Sequence, residues 1–363
     1  MRIALAHPYG WPAVRRGGER YVHDLSCWLA ARGHDVTLLT GESEDAHETA
    51  GVHAVRVPLR RPARLARHGV SALDTFGASI LPHLTRERYD VVHALVPSAG
   101  LAAAMTLQPS VWSALGHPSP DNPPVRTWSR LLVQRATSAV RVPAALSRSA
   151  ADGLERLTGR RPLVLPPGVR TADFSPRLEL RTGPARLLFP AYAGDGRKRL
   201  PVLLTALPAV LEAKPDTRLV LSGGGDPSAA FDSLESGVRR AVLPHVDALD
   251  AGELADVPVR YREATLTVLP SVHEAFGLVL VESLACGTPV VCSASGGMPE
   301  IVDDDVGRLA APDDPHSLAA AILAGLTLAA DPAVASRCVE RGRRWDWDVV
   351  GPQHELAYGR ARG

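Results

Sequence analysis

Short apolar runs alternate with longer stretches of helical periodicity along the whole chain. MRIALAHP reads as a first strand, and GERYVHDLSCWLAARG follows with apolar residues at the i, i+3, i+4 spacing of a helix. HDVTLLT, VHAVRVP and DVVHALVP read as further strands. LVLPPGVRTADFSP (163–176) is broken by prolines, and PSPDNPPVR (118–126) is turn-rich and reads as a loop. A second series starts at RLLFPAYAG (186–194), with a helix near 200–213 and the strands TRLVLSGGG and TLTVLP. It goes on through a helix carrying Glu282 and the strand GTPVVCS (287–293). Strands alternating with helices predict parallel sheets with crossover connections, an α/β protein of two similar halves. The tail RRWDWDVVGPQHELAYGR is amphipathic and holds Trp345 and Trp347.

With 363 residues, 45% of them hydrophobic, the chain has material for two ordinary cores. No apolar run reaches the roughly 18–20 residues of a membrane span, and SAGLAAAMTL (98–107) is too short. The N-terminus meets a proline too early for a signal-peptide core. Cys27, Cys286, Cys292 and Cys338 lack paired metal spacing and read as buried thiols in a reducing cytosol, so the expected location is cytoplasmic.

The near-neutral total hides an asymmetry. Residues 1–180 hold 22 Lys+Arg against 15 Asp+Glu, or +7, and residues 181–363 hold 18 against 24, or −6. The basic half suits an anionic acceptor or a peripheral lipid surface, or is a solvated face. Arg60, Arg61, Arg64 and Arg67 with Leu59 and Leu65 suggest a lipid-facing helix, but Pro62 disturbs it and a surface or acceptor loop is preferred. Nothing in the pattern points to nucleic acid. Only two of the 40 basic residues are lysines, Lys198 and Lys214, which singles out the position of each.

The densest chemistry lies in SVHEAFGLVLVESLACG (271–287). A strand, a tight loop with Glu274 and Gly277, and a helix opening near Gly277 place backbone N–H groups and a helix dipole where an anion can sit. Glu282 falls about two turns on, on the face of the loop if i, i+4 and i+8 align. Gly17 and Gly18, between the first strand and its helix, let the backbone approach a phosphate. The first turn lacks the G-x-G-x-x-G spacing of a dinucleotide site, which argues against a dehydrogenase.

In order and spacing, GGERYVHDLSCWLAARGHDVTLLT (17–40), DVVHA (90–94), PPGVRTADFSP (166–176), LVLSGGG (219–225), the Glu274–Glu282 segment and GGMPEIV (296–302) resemble the retaining glycosyltransferases of family four. The resemblance spans nearly the whole chain. It implies the GT-B fold, two Rossmann-like doubly wound domains facing across a cleft, with the C-terminal helix crossing back to the first. The expected boundaries are 1–178 for an acceptor domain, 179–340 for a nucleotide-sugar donor domain and 341–363 for the returning helix.

The resemblance also implies roles. Glu274 contacts the donor sugar, Glu282 bonds the ribose, and Lys198 neutralises the pyrophosphate, with Phe276 and the amides near Gly17, Gly18, Gly277 and Leu278 completing the donor site. The family's arginine five residues before the lysine is Ala193 here, which leaves Arg197 or Arg199 to supply a second positive charge. The family's sugar-contacting histidine is Leu115, and His117 either takes that role or caps the loop. His93 is expected to pack rather than react. Asp303-Asp304-Asp305 resembles a metal-binding D-x-D only superficially, so neither metal nor cofactor is expected beyond the nucleoside-diphosphate sugar. The implied activity is transfer of a sugar, with retention, to a hydroxyl of a small-molecule, glycan or lipid-linked acceptor. The alternatives are a nucleotide-sugar epimerase of the same fold and a nucleotide-sugar-binding protein without catalysis.

Overall fold

Runs of small and branched apolar residues form the strands. Ile3, Ala4, Leu5 and Ala6 are fully buried, as expected where helices cover both faces of a parallel sheet. The structure, a computed structural model, describes all residues except 12–13, 15, 42–50, 60–69, 118–126, 175, 177–182, 251 and 253–255, and only the backbone of 127–128. The 60–67 basic segment and the whole of the 118–126 loop expectation therefore lie outside the described residues.

The chain divides into one unit of Met1–Gly168 with Trp347–Gly363 and another of Val169–Asp346. The first unit carries β1 (Arg2–Ala6), β2 (Asp35–Thr40), β3 (Val52–Arg56), β4 (Val91–Ala94), β5 (Ser110–Ala114), β6 (Val142–Ala145) and β7 (Leu163–Val164), ordered β3-β2-β1-β4-β5-β6-β7. The second carries β8 (Arg186–Phe189), β9 (Arg218–Leu221), β10 (Val246–Ala248), β11 (Leu266–Leu269), β12 (Val290–Ser293) and β13 (Gly307–Ala310), ordered β10-β9-β8-β11-β12-β13. Every pairing is parallel. Each sheet runs outward in both directions from its first strand, so right-handed crossovers send its helices to opposite faces, the doubly wound arrangement. No single helix among the described residues is long and apolar enough to cross a membrane.

The last helix, Trp347–Arg362, belongs to the first unit because its inner face buries Trp347, Val350, His354, Ala357, Tyr358 and Ala361 there. Gly351 carries no Cβ because one would collide with the Trp28 indole. His354 Nε2 is bonded to Tyr21 Oη at 2.9 Å, and His93 Nδ1 to Tyr358 Oη at 2.9 Å. His93 Nε2 reaches Ser113 Oγ at 2.8 Å, so His93 is a packed residue of this buried network.

Desolvation outweighs the bond to the Val350 carbonyl and holds His354 down to about 4; burial, then the neighbouring His354, depress His93 well below its ordinary value. Both imidazoles are neutral when folded and titrate near 6.5 when unfolded. Their contribution to stability is complete above about pH 6.5 and is lost as pH falls toward the folded values. From pH 7.5 to 5 the His354 linkage alone removes about 2 kcal/mol, seen as a falling thermal midpoint that flattens in His354→Gln. A midpoint independent of pH over that interval would contradict the neutral network.

Candidate active site

In the second unit the loops after β8, β11 and β12 emerge at the same sheet edge, since neighbouring parallel strands end together. β8 leads into the helix Leu200–Ala213 and β11 into the helix Leu278–Ala285, whose crossovers run in opposite directions along the sheet. This is the topological switch point at which open α/β sheets bind their ligands.

Three backbone ties join the loops. Val272 N donates to Arg197 O at 2.9 Å, His273 N to Ser295 Oγ at 3.1 Å, and Gly297 N to Glu274 O at 2.9 Å. Gly296 has φ +61°, and a Cβ there would collide with the Glu274 carbonyl, so only glycine fits. His273 itself sits at φ +54°, an unusual conformation for a residue with a side chain, fixed by these ties. The ties bring Lys198 and Glu274 together, with Lys198 Nζ 2.6 Å from Glu274 Oε2. The two side chains are only 18% and 21% exposed, which weakens screening of their charges by water.

The three basic residues of this loop have different partners. Arg197 Nη2 donates to Asp195 Oδ2 at 2.7 Å, while Arg199 Nε donates to Asp313 Oδ1 at 2.6 Å. Desolvation works against the Arg197 charge, but the Asp195 bond and the nearby Asp195 and Glu274 carboxylates outweigh it and hold its pKa above the ordinary value. Arg197, one of the two arginines left open by the sequence, thus feels the Glu274 charge. Ala193 N donates to Gly224 O at 2.9 Å, which fixes the loop where the family's arginine is missing.

The helix begins at Leu278, with Gly277 as its N-cap at φ +114°, so Glu274 lies outside it, three residues before the cap. The expected helical alignment of Glu274 with Glu282 does not apply. A left-handed residue intervenes and resets the chain direction. Phe276 is buried and packs edge-to-face on Trp345, with centroids 6.2 Å apart. Leu278 opens the helix, so its amide and that of Gly277 are among the donors a helix leaves unsatisfied at its start. Glu282 is buried at 7% exposure, and Tyr261 Oη donates to its Oε2 at 2.9 Å. Tyr261 lies on the helix Asp256–Glu263 and was not legible as a site residue, because only tertiary packing pairs positions so far apart.

In the first unit Gly17 and Gly18 are the opening residues of the helix Gly17–Ala31. Their amides therefore belong to its unsatisfied first turn. A Cβ on Gly18 would stand 3.1 Å from Leu115 Cδ1, so the leucine in the histidine's place packs on this glycine. His117 Nε2 is instead bonded to Ser149 Oγ at 2.9 Å. Glu19 is buried in the same first turn; desolvation raises its pKa against its own backbone bond and Arg16.

No group of three or more His, Cys, Asp or Glu able to hold a metal occurs among the described residues. Asp303 pairs with Arg341 at 3.1 Å, which makes the aspartate run a structural turn there.

Comparison with known proteins agrees with this arrangement. The model of glycosyltransferase family 4 matches residues 15–173, and that of glycosyl transferases group 1 matches residues 185–327. A phosphatidyl-myo-inositol mannosyltransferase of Propionibacterium freudenreichii is 28% identical over 99% of this chain and 94% of its own. A D-inositol 3-phosphate glycosyltransferase of Xylanimonas cellulosilytica is 32% identical over 92% of this chain and 88% of its own. The Anabaena protein HepE, solved in complex with UDP, superimposes with a TM-score of 0.77 at 20% identity, over 99% of this chain and all of that one (100%). The fold is GT-B, and the chain is a glycosyltransferase belonging to family four.

Proposed function

We propose that the enzyme transfers a sugar from a nucleoside-diphosphate sugar to an acceptor hydroxyl with retention of anomeric configuration. The observation that carries this reading is the Lys198–Glu274 pair, held at the switch point by three loops tied to one another. An ammonium beside a carboxylate offers one group for the leaving diphosphate and one for the reacting sugar. Lys198 and the amides of Gly277 and Leu278 stabilise the anion that grows as the glycosidic bond breaks. Arg197 adds positive charge nearby, and Glu274 opposes the positive charge that develops on the sugar. In the first unit, Gly17 and Gly18 supply opening helix amides, and His117, bonded to Ser149, either makes the sugar-hydroxyl contact that Leu115 cannot make or caps its loop. The proton of the acceptor hydroxyl passes to the departing phosphate. No metal or further cofactor is invoked, and a cytoplasmic enzyme with peripheral membrane contact through its basic half accommodates a lipid-linked acceptor. The two curated relatives are named for acceptors built on inositol, so a cyclitol hydroxyl is the first acceptor to test.

A thermal-shift screen of nucleoside diphosphates and their sugars identifies the donor, since binding to the native state raises stability by mass action. With that donor, release of nucleoside diphosphate is expected only when acceptor is present. Release without acceptor supports an epimerase, and binding without release in either case supports a non-catalytic protein.

Glu282→Ala is expected to weaken donor binding by about 1.5–3 kcal/mol, the scale of a hydrogen bond to a charged group. Turnover at saturating donor falls less. Unchanged affinity in a folded variant, read by calorimetry, would remove Glu282 from the ribose.

A further inference from the structure

Tyr192 is 58% exposed, the one exposed aromatic among the described residues, yet it is held in place. Its ring lies between two glycines. A Cβ on Gly194 would stand 2.8 Å from the ring and one on Gly225, at φ +88°, 2.7 Å from it. The backbone beneath is equally close, because a Cβ on Gly223 would collide with Ala191 and Ala193 N donates to Gly224 O. The glycine run after β9 and the loop after β8 thus seat an aromatic side chain that stays more than half exposed. Leaving such an area uncovered costs hydrophobic free energy, which a flat partner would recover.

The surroundings say which partner. Asp195 N donates to Tyr192 O and Lys198 N to Asp195 O, so two turns of backbone separate the ring from the ammonium. The strand order β9-β8-β11 puts Glu274 on one side of Lys198 and the glycine run on the other. A donor with its diphosphate at Lys198 and its sugar at Glu274 therefore directs its nucleoside toward Tyr192. Arg260 Nη1 donates to Ser222 O at 2.8 Å at the root of the glycine run. The next residue, Tyr261, bonds Glu282, which links the ribose position to the same place. Resting on the donor site proposed above, we infer that the exposed ring of Tyr192 is the platform on which the base of the donor nucleotide stacks.

The test is calorimetric titration of the full chain with uridine, guanosine and adenosine diphosphates and with inorganic pyrophosphate. Tyr192→Ala should bind the preferred nucleoside diphosphate about tenfold more weakly, the scale of one base–aromatic stack. Tyr192→Phe should bind it within about twofold of the parent, because the face and not the hydroxyl carries the contact. Pyrophosphate affinity should not change in either variant. Unchanged nucleotide affinity in Tyr192→Ala, or an equal loss for pyrophosphate, overturns the stacking role and leaves the donor site standing. A parent protein that binds none of the three nucleotides overturns the donor site itself, and the stacking role with it.

Discussion

Lys198→Ala is expected to slow sugar transfer roughly 10²–10³-fold, the effect of removing one preorganised donor aimed at developing negative charge. The chain has two lysines, and this one stands at the switch point of its sheet with its ammonium 2.6 Å from Glu274. Removal acts twice. The departing diphosphate loses its point-charge partner, and Glu274 keeps a half-buried charge with no ammonium beside it. Affinity for the nucleoside diphosphate product should fall as well, because the charge is felt in product as in transition state. Arg197 and Arg199 do not compensate, since their guanidinium groups are engaged by Asp195 and Asp313. An effect under about tenfold would assign the diphosphate chiefly to Arg197, and the Lys198→Ala/Arg197→Ala double variant would then show the full loss.

Glu274→Gln should lower turnover roughly 10²-fold, the scale of a preorganised electrostatic group, while changing donor affinity much less. The substitution keeps size and an accepting oxygen but removes the charge. A neutral donor sugar interacts with either side chain in the ground state, whereas the cationic character of the transition state favours only the carboxylate. The loop should survive the change, because its ties run through the Glu274 carbonyl and the His273 and Val272 amides rather than the side chain. Steady-state rates at saturating donor, set beside calorimetric affinities, separate the two effects. Equal losses in turnover and affinity would make Glu274 a binding residue only.

Much of this architecture was legible because the strands that position the second-unit site are short apolar runs bounded by turns. RLLFP and TLTVLP became β8 and β11, and the expected helix near 200–213 is Leu200–Ala213. β5 (SVWSA) and β6 (VPAA) were not singled out, because four or five buried residues carry no alternation to distinguish them from neighbouring helices. The site was legible as a set of residues but not as a geometry. Glu274 and Glu282 were identified, yet their expected common helical face fails at Gly277, whose left-handed backbone starts the helix anew. Gly17 and Gly18 open the first helix, as their place after β1 suggests. The Tyr261 bond to Glu282, the Asp195 grip on Arg197 and the seat of Tyr192 depend on residues brought together by packing. No local spacing encodes them.

The central claim is retaining transfer at the Lys198–Glu274 pair, and the anomeric configuration of the product tests it most directly. The donor identified by thermal shift, α-linked and of defined configuration, is converted with acceptor and the new linkage is read by NMR before any secondary reaction. An α-linked product is expected; a β-linked product would contradict both the retaining chemistry and the role given to Glu274.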